Sequence, residues 1–171
     1  MQFLILEPVG TAMMFYGLVL FMFARQLFGK AEAKAVGFLV TAAGFIGLIT
    51  GLFAYIGLGL ALPEALVIVF AFTFIMAGIW SIRGLSPKTL ACFLMYLGIA
   101  DAMYAIYFVI VGLLIFSAFC WAYFIVYLLF VLALLTGKPT YGKAAKYWCL
   151  VCSFLTLLIP GLLLVTGVVF G

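Results

Sequence analysis

Every lysine and arginine of the chain, eight in all, falls into one of three short stretches, residues 25–34, 83–88 and 138–146, and the sequence between them is overwhelmingly apolar. Short loops rich in Lys and Arg stay on the cytoplasmic side of a membrane. Three basic loops separated by paired apolar runs therefore predict three hairpins entering from outside, with both termini outside. With 71% hydrophobic and 7% charged residues among 171, a water-soluble globule is excluded, and the chain reads as an integral membrane protein in a lipid bilayer.

A membrane-spanning helix needs roughly 20 apolar residues, because it rises about 1.5 Å per residue across about 30 Å of hydrocarbon. Six such spans are expected, at residues 9–28, 35–58, 64–82, 90–112, 114–135 and 147–170. The runs are too long and leucine-rich for barrel strands, which show about ten residues of alternating polarity. The expected fold is all-α, one six-helix transmembrane domain over residues 1–171. The first run has no basic segment before it and no small-residue cleavage pattern, so it reads as a retained helix. Glu7-Pro8 and Pro63-Glu64 both suit outer helix starts, where proline fits the first turn and a carboxylate meets the positive end of the dipole. The net charge of +4 then serves orientation and contact with anionic lipid. The basic loops are too short for a nucleic-acid surface, so no nucleic-acid partner is expected.

Cys92, Cys120, Cys149 and Cys152 all lie in expected spans. Cys149-Leu-Val-Cys152 has the spacing of redox or metal sites, but such a site wants further ligands and the chain contains no histidine. The pair reads as small, polarizable packing residues. Lack of histidine also removes the usual haem ligand, and no cofactor is expected. An enzyme is disfavoured, for there is no paired carboxylate and no nucleophile–base constellation in the spans.

The three basic turns look alike. Each carries a glycine able to end a helix, Gly29, Gly84 or Gly137, then a lysine near the next helix start. Each is followed by a similar apolar opening: Gly37-Phe38-Leu39-Val40, Cys92-Phe93-Leu94-Met95 and Trp148-Cys149-Leu150-Val151. The period of roughly 54 residues is compatible with a threefold parallel repeat. Any three hairpins of this composition would share some of that likeness.

Several segments together resemble the urea and short-chain amide channels of bacteria, the UreI/AmiS family. Tyr16-Gly17-Leu18-Val19-Leu20-Phe21, with Gly29 and Lys34-Ala35-Val36, is similar to that family's first helix and basic turn. Phe70-Ala71-Phe72-Thr73-Phe74 resembles its Phe-Gly-Phe-Thr-Tyr signature, with alanine for glycine and phenylalanine for tyrosine. Leu158-Ile159-Pro160-Gly161 resembles the Trp-Ile-Pro-Ala of its last helix.

The resemblance implies a six-helix protomer with its own pore, assembled as a homohexamer in the bacterial inner (cell) membrane. Its cargo would be a small uncharged solute, urea or a short aliphatic amide. Carried over residue by residue, Phe70 and Phe74 match the signature's aromatic pair, and Tyr16 and Leu20 match first-helix positions of a constriction. Both pairs have i, i+4 spacing, which places them on one helix face. Cys120, Tyr123 and Tyr127 align with three fifth-helix tryptophans of the family, and Cys152 stands where its members carry Glu or Gln. The resemblance thus implies a pore lined by Tyr16, Leu20, Phe70, Phe74, Cys120, Tyr123, Tyr127 and Cys152, with a less polar filter than the family pattern.

Asp101 is the one ionisable residue near the middle of a span, where a charge costs about 2.5–3.5 kcal/mol on insertion scales. It reads either as a gate or vestibule residue or as a structural hydrogen-bond partner of Tyr104 or a neighbouring helix. Gly47 and Gly51 form a G-x-x-x-G pair that permits close helix contact, within or between subunits. Two functional classes survive: a passive channel, for urea, amides or another small solute such as a protonated weak acid or ammonia, and a non-transporting scaffold or accessory subunit.

Overall fold

A computed structural model describes residues 7–57 and 63–167. Among these residues all regular structure is helical. The helices are α1 (Glu7–Leu27), α2 (Ala33–Leu52, continued by a π-helical turn, Phe53–Gly57), α3 (Pro63–Arg83), α4 (Pro87–Ile110), α5 (Leu114–Thr136) and α6 (Pro139–Val165, with a π-helical turn at Ser153–Leu158). Six spans are long and apolar enough to cross a membrane. The side chains of Glu7 and Glu64, and both chain ends, lie outside the described residues.

One boundary departs from the sequence reading. The last helix starts at Pro139, not near Tyr147. The sequence reading took the apolar span to begin after Lys143 and Lys146, but a helix need not begin there, because long cationic side chains reach the headgroups from a helical backbone. Proline at the first helical position has no N–H to leave unpaired. Lys146 lies over the ring of Phe28, with Nζ 4.5 Å from its centroid, so the amine covers an aromatic face at the basic end.

The glycines of the three basic turns do end helices. Gly29, Gly84 and Gly137 have φ of 69°, 63° and 64°, a left-handed conformation that costs an L side chain about 1–2 kcal/mol. In the first turn the Lys30 N–H reaches the Arg25 carbonyl at 2.9 Å and the Gly29 N–H that of Gln26 at 2.8 Å, which satisfies carbonyls the helix leaves open. Alternation of the spans places all three basic turns at one end of the bundle.

The most extensive packing joins α2 to α3, α4 to α5, and α1 to α6. Glycine permits two of these contacts. A methyl on Gly37 would lie 2.8 Å from the Gly78 carbonyl oxygen, and one on Gly161 would lie 2.7 Å from that of Gly10. In hydrocarbon there is little hydrophobic drive between helices, so such close backbone approach supplies much of the association. Gly47 and Gly51 also turn inward: Gly47 faces the ring of Tyr16 on α1, and Gly51 faces Val67 and Ile68 on α3. The G-x-x-x-G pair thus makes contacts within the chain. With α1 also touching α2 and α5 touching α6, the helices enclose an aromatic centre, and α3 meets α4 only sparingly.

Candidate solute path through the bundle

The buried centre is built from i, i+4 pairs on two helices and a longer series on a third. Tyr16 and Leu20 descend one face of α1, Phe70 and Phe74 one face of α3, and Tyr123, Val126 and Tyr127 the facing side of α5; all are buried. Together with Leu157 of α6 they wall a cavity of about 30 Å³, enough for a water-sized occupant. Phe70 sits at the hub. Its ring lies edge-on to Tyr123 (5.0 Å, 78°), nearly parallel to Tyr127 (6.5 Å, 12°) and stacked with Phe74 (6.1 Å, 22°). Tyr16 meets Phe74 edge-on at 4.9 Å. Edge and offset contacts of this kind fix ring positions beyond what area burial supplies.

Two further cavities adjoin the first. On the side of the basic turns, a cavity of about 70 Å³ shares Leu20, Phe74, Val126 and Tyr127 with the centre and adds Phe23, Thr73, Ser81 and Phe130. On the opposite side, one of about 40 Å³ shares Tyr16, Phe70, Tyr123 and Leu157 and adds Phe108, Phe116 and Cys120. The three lie in a file along the bundle, the smallest in the middle, and neighbouring cavities share the rings between them.

Polar groups in this file are few and mostly tied to the backbone. The Tyr16 hydroxyl donates to the Val67 carbonyl at 2.7 Å. Thr156 donates its hydroxyl to the Cys152 carbonyl at 2.8 Å, so the 2.7 Å contact between Tyr123 and Thr156 Oγ1 has Tyr123 as donor. The Tyr123 hydroxyl also lies 3.3 Å from the Thr156 carbonyl. Pro160 cannot return an N–H to that carbonyl four residues before it, and the π-helical turn at Ser153–Leu158 falls at the same place. Ser153 uses the distortion as well, donating to the Gly17 carbonyl of α1 at 2.8 Å. The tyrosine oxygens keep lone pairs with which to accept a hydrogen bond.

Seven of the eight residues singled out as pore candidates line these cavities. Tyr16, Leu20, Phe70, Phe74, Tyr123 and Tyr127 surround the central one, and Cys120 borders the far one. Cys152 does not appear in their walls; it is fully buried one turn before Thr156. Asp101 is not among the residues of these walls either; it is buried in the α4–α5 contact, and among the described residues its Oδ2 has no hydrogen-bond partner, Tyr104 included. Sequence reasoning missed Val126, Leu157, Phe108 and Phe116. Val126 follows Tyr123 at i+3 and could have been found by that spacing, whereas Leu157 reaches the cavity through the π-helical turn, which shifts helix phase. Cys149 is buried and Cys92 exposed, both free. Among the described residues no group of three His, Cys, Asp or Glu side chains is placed to hold a metal ion.

The crystal structure of the urea channel from Helicobacter pylori has the same fold, with a TM-score of 0.77 at 17% identity, covering 91% of this chain and 96% of that chain. The cryo-EM structure of that channel in a closed state gives a TM-score of 0.71 at 17% identity, covering 99% and 100%. No curated protein sequence matches. The model of the AmiS/UreI family transporters matches residues 9–168, nearly the whole described bundle, and with six apolar spans arranged as in a urea channel the chain is a multi-pass membrane protein that belongs to the AmiS/UreI family of transporters.

Proposed function

We propose that the protein is a passive channel for urea or short-chain aliphatic amides, which cross each protomer through the file of three cavities. The observation that carries this reading is the narrow centre walled by Tyr16, Phe70, Phe74, Tyr123 and Tyr127. A flat, uncharged amide can slip along ring faces and lend its N–H groups to tyrosine oxygens. A hydrated ion finds too few polar atoms there to replace its water, which excludes it. The whole chain acts as one six-helix domain, with the basic turns in the cytoplasm, both termini outside, and six protomers assembled in the bacterial inner membrane. Cys152 shapes the path from behind, through the α6 backbone that holds Thr156 and Tyr123.

Stopped-flow light scattering on proteoliposomes tests the reading with urea, formamide and acetamide against glycerol and empty vesicles. Amide or urea entry should be fast, non-saturating and indifferent to ion gradients, and Phe74→Trp should slow it. Rates equal to those of empty vesicles, or a steep dependence on a proton or sodium gradient, would overturn it.

A further inference from the structure

The cavity on the side of the basic turns differs from the other two in its chemistry. It has the most polar surface of the three, and three side chains of its wall carry oxygen: Thr73 and Ser81 of α3 and Tyr127 of α5. Both aliphatic hydroxyls spend their proton on their own helix. Thr73 donates to the Val69 carbonyl at 2.8 Å, and Ser81 to the Ala77 carbonyl at 3.0 Å. A hydroxyl has one proton and two lone pairs, so each is left as an acceptor. The two stand eight residues apart, about 12 Å along the helix axis, and their settings differ. Ser81 is half-buried, two residues before Arg83 at the end of α3, where water competes for its oxygen. Thr73 is 2% exposed and precedes Phe74, whose side chain belongs to the wall of the central cavity as well. A solute that has shed water to pass the aromatic centre needs new partners for its N–H groups, and Thr73 stands in the next cavity of the file.

We infer that Thr73 is a solute-binding residue of the path: its Oγ1 accepts a hydrogen bond from an amide N–H as the solute moves between the central cavity and the one on the side of the basic turns. This rests on the channel reading proposed above. It deepens that reading, because an oxygen whose proton is committed to the backbone favours solutes that donate.

Four variants of the full-length protein in liposomes test it. Thr73→Val removes the acceptor at nearly constant size, and acetamide entry should fall about three- to tenfold, the range of one lost hydrogen bond. The Val69 carbonyl keeps its helical N–H partner in that variant, so no group is left unpaired. Thr73→Ser keeps the hydroxyl and should stay within about twofold of the parent on the same scale. A packing role predicts the reverse order, since serine leaves a methyl-sized void and valine does not. Tyr127 shares the cavity, so Thr73→Val is also compared with Tyr127→Phe alone in a Tyr127→Phe background, where the loss of at least threefold should persist. Parental acetamide rates in Thr73→Val, a loss in Thr73→Ser as large as in Thr73→Val, or a Thr73→Val effect that vanishes beside Tyr127→Phe would overturn the inference and leave the channel standing. Parent vesicles no faster than empty ones would instead overturn the channel reading, and this inference with it.

Discussion

The ring of Phe70 lies nearly parallel to that of Tyr127, 12° between planes and 6.5 Å between centroids, across the gap between α3 and α5. Phe70 also braces Tyr123 and Phe74, so one side chain sets the spacing of three others that wall the centre. In a close-packed interior this spacing cannot drift without losing contacts on several sides.

Phe70→Ala should therefore relax size selection more than it abolishes flux. Glycerol, bulkier than urea, should enter about tenfold faster than through the parent, equivalent to ~1.4 kcal/mol less barrier, while urea entry changes much less. Stopped-flow rates for the two solutes on the same vesicle preparation provide the check. An unchanged glycerol-to-urea ratio would mean that Phe70 does not set the width.

Gly47 faces the ring of Tyr16 so closely that no side chain fits between them. Gly47→Ala should cost about 1–3 kcal/mol, as overpacking does, and should press Tyr16 toward the cavity it lines. Thermal unfolding of the detergent-solubilised protein should show the loss, and the urea rate should fall with it. Tyr16→Leu in the same chain should recover most of the stability. Gly51→Ala is the milder control, because its nearest atom, 3.0 Å away, is Cγ1 of an isoleucine side chain that can shift.

The Tyr123 hydroxyl ties α5 to the distorted stretch of α6 through Thr156. A double-mutant cycle with Tyr123→Phe and Thr156→Val should give a coupling of about 0.6 kcal/mol, with ~1.7 kcal/mol as the ceiling for such bonds in membranes. Additivity within error would show that the Thr156 hydroxyl adds nothing to the tie, leaving only the Thr156 carbonyl to hold Tyr123.

Much of this architecture is legible in the residues because the bilayer imposes it. Apolar length gives the spans, and the glycine-lysine turns give their ends, as Gly29, Gly84 and Gly137 demonstrate. Helical spacing also brings Phe70 and Phe74 to one face with Tyr16 and Leu20 opposite. What escapes the sequence depends on departures from regular helix. The π-helical turn before Pro160 carries Leu157, which lines the cavity, whereas Cys152, a pore candidate by alignment, is buried and is not among the wall residues. The start of α6 escapes too, because Lys143 and Lys146 end the apolar run without ending the helix, which begins at Pro139. Pairing is equally hidden: α2 and α3 pack through Gly37 and Gly78, and periodicity alone does not say which glycine meets which.

The crossing of α1 and α6 offers the sharpest test of how far this geometry depends on glycine. A methyl on Gly161 would sit 2.7 Å from the Gly10 carbonyl oxygen, and a methyl on Gly10 would sit 2.7 Å from that of Gly161. Both obstacles are backbone, which cannot rotate aside, so the two helices must part. Because α1 carries Tyr16 and Leu20 while α6 carries Leu157, parting them should disturb the central cavity as well as the packing. Gly161→Ala is expected to cost about 1–3 kcal/mol in stability and to alter the urea rate. Gly142→Ala is the matched control. That glycine lies in α6 with nothing near its absent side chain, and alanine should gain about 0.5–1 kcal/mol there from helix propensity. Thermal unfolding of the two variants beside the parent should then move in opposite directions. A stable Gly161→Ala with parental flux would show that α1 and α6 do not need this contact to hold the path.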